Sequence, residues 1–514
     1  MSTVASPLSR TDRSELKVLI VGGGTAGWMT AAALAKKLSP LGVSMTLVES
    51  RQIGTVGVGE ATLPQIRDFN RMLEIDEAHL ISRTKATIKL GIEFCDWGRP
   101  GDSYFHPFGA YGSAIGPADF HQYWIRQQLA GKAADFGSYC YAIMCARQDR
   151  FEVPNPKPES QIEAYSYAYQ FDATLYGEFL AEYATDRGVK RVEGKIVDVE
   201  IDDETGFVTG VKLEDGQLIE ADIFIDCSGF RGLIIEQALE TGYDDWSNYL
   251  PCNRALAVPS EIRGEVGPYT RASAKTAGWQ WRIPLQHRMG NGLVYCDAFI
   301  SDQEASDELL SGLDGKALAN PKQLYFKTGK RRKLWTRNCI AIGLSGGFLE
   351  PLESTSIDLI QSGIMNLLAL FPGKACDPLD ADEYNRLMDL EFERVRDFLM
   401  LHYVANQRGD VPFWREMRTM ELPASLSDKI EAFRSRGLVP QYTDGLFLPP
   451  SWLSVFIGQN VHAEAYDPRV DVLTEAELDS ALDDLRNSIA ARVSNVASHA
   501  NFLKANAEKV GQVT

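Results

Sequence analysis

The stretch Leu16-Lys17-Val18-Leu19-Ile20-Val21-Gly22-Gly23-Gly24-Thr25-Ala26-Gly27-Trp28 decides how the rest of the chain is read. Leu16 to Val21 has the short apolar run of a buried strand, and the alanine-rich segment Trp28 to Leu38 predicts a helix. Between them lies a G-x-G-x-x-G turn in which each glycine has its own task. The first permits the tight turn, the second lets a pyrophosphate approach the backbone, and the third lets helix and strand pack closely. The helix amino terminus then offers amide donors and a positive dipole to phosphate. A second strand, Val43 to Val48, ends at Glu49, an acid placed to accept hydrogen bonds from an adenosine ribose. Together these form a βαβ unit, the opening of a Rossmann-like, doubly wound α/β sheet. Gly22, Gly24, Thr25, Ala26, Gly27 and Glu49 are the nucleotide contacts this reading expects.

Working outward, two further glycine-rich strand ends follow far downstream. Asp226-Cys227-Ser228-Gly229 closes a strand over Ile223 to Asp226, and a Gly/Ser turn at Gly343 to Gly347 follows a strand over Asn338 to Gly343. A nicotinamide enzyme usually completes its nucleotide domain early, whereas interleaving of this kind suits a long cofactor threaded through the fold. The expected cofactor is therefore FAD, with Asp226, Gly343 and Leu344 added to its contacts. Only one dinucleotide fingerprint is evident, so reduced flavin is expected from a separate reductase.

Ile88, Leu90, Ile92 and Phe94 alternate as in a half-buried strand, which leaves Lys85, Thr87 and Lys89 on the opposite, polar face. Strands are also expected over Val192 to Ile201 and Phe207 to Leu213, and an apolar helix over Ser356 to Phe371. From about residue 382 the pattern is helical and charged, with helices near 382–402 and 474–506. The expected organisation is a flexible tail over 1–14, a FAD-binding core with an interleaved β-rich substrate region over 15–380, and a helical substrate-covering region over 381–514.

Composition excludes several classes of function. The 514 residues are 45% apolar and 24% charged, a soluble globular balance that fits one large domain with an appendage, or two domains. No apolar run approaches the roughly 18 residues of a membrane span, and the polar first residues lack a secretory core, so a cytoplasmic protein is expected. A net charge of −18 disfavours nucleic acid and anionic membranes. The one basic run, Lys330-Arg331-Arg332-Lys333, reads as a solvated loop. Eight scattered cysteines without a C-x-x-C pair indicate reduced thiols and no metal site.

Several segments, in order, resemble the flavin-dependent tryptophan halogenases. Gly278-Trp279-Gln280-Trp281-Arg282-Ile283-Pro284 matches the W-x-W-x-I-P motif of that family, and Gly57-Val58-Gly59-Glu60-Ala61-Thr62 its flavin-contacting loop. Thr84-Lys85-Ala86-Thr87-Ile88-Lys89 resembles the segment bearing the catalytic lysine, and Phe105-His106-Pro107-Phe108-Gly109 the indole-stacking segment. Asp226 to Gly232 and Glu350-Pro351-Leu352-Glu353-Ser354-Thr355 match as well, and the likeness extends over roughly residues 16 to 410.

The resemblance implies that reduced FAD, oxygen and chloride or bromide yield hypohalous acid, which a lysine passes to an aromatic, indole-type ring. Lys85 matches that lysine, with Lys89 on the same face ranking second. Glu353 matches the carboxylate beside the reacting carbon. Thr355 and Ser356 match the halide cradle, Ser356 standing where the family usually has glycine. Gly59 and Ala61 join the flavin contacts. Trp279 and Trp281 match residues that keep substrate from the flavin, and His106 and Phe108 those that stack on indole. Family members often form homodimers.

The carboxy-terminal third departs from the enzymes that act on free tryptophan. Where those carry a tyrosine pair and an acid that clamp the amino acid, this chain has Pro449-Pro450-Ser451-Trp452-Leu453-Ser454-Val455-Phe456. A buried ammonium without a partner costs several kcal/mol, so the expected substrate is an indole without the zwitterion, with Trp452 as apolar wall. A flavin monooxygenase and a flavin-binding protein without catalysis are the alternatives.

Overall fold

The computed structural model describes residues 16–50, 59–158, 160, 163–440 and 445–511. The expected tail over 1–14, and Gly57-Val58 of the flavin loop, lie outside them.

Among the described residues, a six-stranded sheet runs in the order Trp335–Thr336, Cys339–Ala341, Ile223–Asp226, Lys17–Val21, Ser44–Glu49, Lys190–Glu193. All but the first pair in parallel. Val18 to Val21 are buried, as a strand covered on both faces requires, which is why the run is continuously apolar and not alternating. The registers Val21 to Val48, Val21 to Asp226 and Asp226 to Ala341 align the carboxyl ends. Gly22, Glu49, Cys227 and Gly343 therefore emerge along one edge, where open α/β sheets take ligands. The helix Thr25–Leu38 begins inside the glycine turn, three residues before the expected start at Trp28.

A seven-stranded sheet carries the tryptophan motif on Gly278–Pro284 and the histidine segment on Ser103–Pro107. A three-stranded sheet places Ala168–Asp172 between Gly59–Ala61 and Thr87–Lys89. This small sheet joins the flavin loop to the lysine segment.

From Pro378 onward the regular elements are helices, beginning with Pro378–Val404. The expected helix over 474–506 divides into Glu475–Ser494, opened by a Thr474/Glu477 capping box, and His499–Gly511. The expected strand over Val192 to Ile201 also breaks. Lys190–Glu193 joins the parallel sheet, and Ile196–Ile201 pairs antiparallel with Val208–Leu213. The Gly194 amide between them donates to Glu49 O.

The basic run is a solvated loop only at Arg332 and Lys333, which are exposed. Lys330 and Arg331 are buried, Lys330 Nζ 2.7 Å from Asp389 and Arg331 2.8 Å from Glu236. Two desolvated cations need those partners. Among the described residues no helix is long and apolar enough to cross a membrane.

Candidate active site

A cavity of about 920 Å³ opens from the glycine turn. Gly22, Gly24, Thr25, Ala26, Glu49, Gly59, Ala61, Gly343 and Leu344 all line it. Gly22 has φ +110°, and a Cβ on Gly27 would lie 1.8 Å from Gly22 O, so both positions require glycine. A Cβ on Gly24 would meet nothing within 4 Å, because that position opens into the cavity. The turn thus keeps helix and strand in contact at Gly27 and presents bare backbone at Gly24, which fits the pyrophosphate of FAD. Glu49 is in the wall, ion-paired with Arg191.

Asp226 is a correction. Its carboxylate is fully buried and accepts from the amides of Ser228, Ile234 and Ile235 at 2.8 to 2.9 Å. It shapes the loop, and the residues after it, Cys227 to Arg231, form the wall.

The same cavity continues to Trp279, Trp281, Glu353, Ser354, Thr355 and Ser356. Lys89 Nζ meets this wall from behind, donating to Thr62 O at 3.0 Å and to Ser354 Oγ at 2.8 Å, with the Phe108 ring centroid 5.2 Å away. Burial lowers its pKa to about 7 against the opposing pull of the Glu353 charge. Lys85, ranked first from the sequence, is elsewhere. It is exposed, at φ +54°, in the turn between the helix Glu77–Arg83 and the strand that begins at Thr87. The alternation failed for a physical reason: Lys85 precedes the strand, and Thr87 and Lys89 are as buried as Ile88. There is no solvated face.

Glu353 is buried, its Oε2 2.6 Å from His106 Nδ1 and its Oε1 2.8 Å from His402 Nε2. Burial alone raises such a carboxyl, but the charges and hydrogen bonds of His106 and His402 outweigh it and hold the pKa at about 2. His402 Nδ1 also faces Phe398 O at 2.9 Å, which ties the ring back to its own helix. Glu353 (φ +64°) and Ser354 (φ +62°) are consecutive left-handed residues without being glycine. That costs about 1–3 kcal/mol each. It turns the carboxylate toward the histidines and the Ser354 hydroxyl toward Lys89.

The helix Thr355–Ala369 opens at this point with no side-chain cap. Thr355 Oγ1 is buried and, among the described residues, has no hydrogen-bond partner. Uncapped amides and a spare hydroxyl facing a cavity suit a small anion. Behind the wall, Glu350 Oε2 accepts from Trp279 Nε1 at 3.0 Å and from Tyr403 OH at 2.7 Å. Burial pushes Glu350 up to about 7, partly offset by those two bonds.

On the far side of Glu353, Phe398 lies edge-on to His106 (centroids 5.6 Å) and stacks on Phe447 at 3.8 Å. Trp452, expected as substrate wall, backs this group: its ring lies 5.2 Å from Phe398, its Nε1 donates to Phe447 O, and Lys429 Nζ sits 4.1 Å from its ring centroid. It is wall behind the wall. Sequence reasoning missed His402, Phe398, Phe447 and Ser354. His402 and Phe398 stand four apart on one helix, a spacing that marks a shared face, but nothing local says what that face meets.

A cavity shaped for FAD that runs on to a buried carboxylate, with a buried ammonium hydrogen-bonded to its wall, is the layout of a flavin-dependent oxidoreductase. The family description "Tryptophan halogenase" matches residues 17–475. Tryptophan 6-halogenase SttH of Streptomyces toxytricini is 35% identical over 97% of this chain and 99% of its own. Among solved structures, the flavin-dependent halogenase BrvH of Brevundimonas sp. BAL3 superposes with a TM-score of 0.92 at 44% identity, over 95% of this chain and 99% of its own. Xcc4156, a flavin-dependent halogenase from Xanthomonas campestris, gives 0.92 and 44% over 96% and 98%. The chain belongs to the tryptophan halogenase family and is a flavin-dependent halogenase.

Proposed function

We propose that this enzyme halogenates an indole-type ring with chloride or bromide, and that Lys89, not Lys85, hands the oxidised halogen to the substrate. FAD held at the glycine turn supplies, once reduced by a separate reductase, the oxygen chemistry that converts halide to hypohalous acid. Everything after that falls to side chains of the chain. Thr355 and Ser356 hold the halide at the helix amino terminus. Trp279 and Trp281 wall the flavin from the substrate, and Glu350 fixes the Trp279 ring. The Lys89 ammonium donates to the oxygen of hypohalous acid. The ring carbon attacks the halogen, the carbon–halogen bond forms as the oxygen–halogen bond breaks, and hydroxide leaves as water with the lysine proton. Glu353 stabilises the ring cation and accepts its proton. A carboxylate at about 2 is a weak base, yet a protonated aromatic ring is a strong acid, so a weak base suffices.

The observation that carries this reading is the Lys89–Ser354 hydrogen bond, which ties the ammonium to a residue of the flavin cavity wall next to Glu353. The helix Pro449–Gly458 is apolar and lacks a carboxylate, which favours indole over zwitterionic tryptophan. Eight free thiols fit a reducing, cytoplasmic setting.

The test supplies reduced FAD, oxygen and bromide or chloride with indole, followed by mass spectrometry. Halogenated indole is the expected product; hydroxylated indole alone refutes the proposal. Lys89→Ala should lower halogenation by about 10²-fold or more with FAD still bound, and Lys85→Ala should leave it unchanged.

A further inference from the structure

The strand that bears Lys89 is held from a remote part of the chain. His499 is the first residue of the helix His499–Gly511 and is completely buried. Its Nε2 accepts from the Ile88 amide at 3.1 Å across a separation of 411 residues, and its Nδ1 faces Val266 O at 2.9 Å. An amide can only donate and a carbonyl can only accept, so both bonds exist together only in the neutral tautomer with the proton on Nδ1. Burial favours that form, lowering the His499 pKa to about 4.

The ring itself is anchored. The His499 amide donates to Asp149 O at 2.8 Å, and two turns further along the helix face Asn506 Nδ2 donates to Ala78 O at 3.2 Å. The rest of the strand is fixed by side chains too. Ile88 O accepts from Gln170 Nε2 at 3.0 Å, and Thr87 Oγ1 donates to Pro284 O at 2.6 Å. Lysine has a long, flexible side chain, so the place its ammonium reaches depends on a fixed starting point at Cα. The Ile88–Lys89 segment supplies that point, and only His499 takes the Ile88 amide among the described residues.

We propose that His499 is a positioning residue for Lys89: its unprotonated Nε2 holds the Ile88 amide and thereby sets the ammonium beside Ser354 and Glu353. This rests on Lys89 as the group that transfers halogen. A misplacement of about 1 Å at a reacting group costs about 10²-fold, and an oxidant no longer held at the lysine escapes into solution.

Two substitutions separate this from packing. His499→Gln puts an amide oxygen where Nε2 stood and keeps the acceptor for Ile88. His499→Asn reaches only as far as Nδ1 and loses it. With FAD, oxygen, bromide and indole, the readout is bromoindole formed against hypobromous acid captured by monochlorodimedone, with FAD titration and thermal unfolding alongside. The expected result is that Asn lowers the product-to-trap ratio about tenfold or more with FAD still bound, and Gln restores it. Equal ratios in Asn, Gln and the parent protein overturn the proposal, as does an equal loss in both, which would make His499 packing alone. Failure of the underlying reading is distinguishable, because Lys89→Ala would then keep halogenating.

Discussion

Lys89 is a lysine whose burial keeps its proton only loosely. With its pKa lowered to about 7, the side chain is charged below that value and neutral above it. A role as proton donor to hypohalous acid therefore requires the turnover rate to fall as pH rises through about 7. The measurement is a profile of kcat against pH with saturating indole, and a rate that climbs across this window contradicts the role. Glu353 is the complementary case. Glu353→Gln keeps the shape but removes the charge that faces two histidines and the ring cation. Halogenation should drop by about 10²-fold, and unfolding free energy by about 3 kcal/mol, since a buried ion pair loses one partner. Chemical denaturation and product assays test the two effects separately.

At the scale of elements, the glycine turn and the left-handed corner at Glu353–Ser354 set the two ends of the cavity. Gly27→Ala puts a methyl group into Gly22 O, so helix and strand must separate. FAD affinity should fall by about tenfold or more, roughly 1.4 kcal/mol, as read by flavin titration. The glycine turn was legible because a tight turn leaves a chemical requirement in the residues themselves. The lysine was not. Alternation over Ile88, Leu90, Ile92 and Phe94 found a real buried face, but it carried the pattern back past Thr87 into a turn and implied a solvated face that does not exist. Asp226 shows the same limit: an acid at a strand end looks like a ligand until its oxygens are found spent on Ser228, Ile234 and Ile235. His499 and His402 gave no local signal of what they meet, because each acts on a partner far away in sequence.

For the molecule as a whole, the charge balance is acidic and the first half of its one basic run is turned inward. Lys330 and Arg331 are engaged by Asp389, Asp244 and Glu236, and the net charge is −18. The protein should pass unretained through a heparin column at physiological ionic strength, and retention would contradict an anionic surface. The thiols carry a different consequence. All but Cys95 are buried, and Cys227 lines the flavin cavity. Burial holds the Cys227 thiol protonated, so an electrophilic halogen passing that wall meets sulfur in its least reactive form.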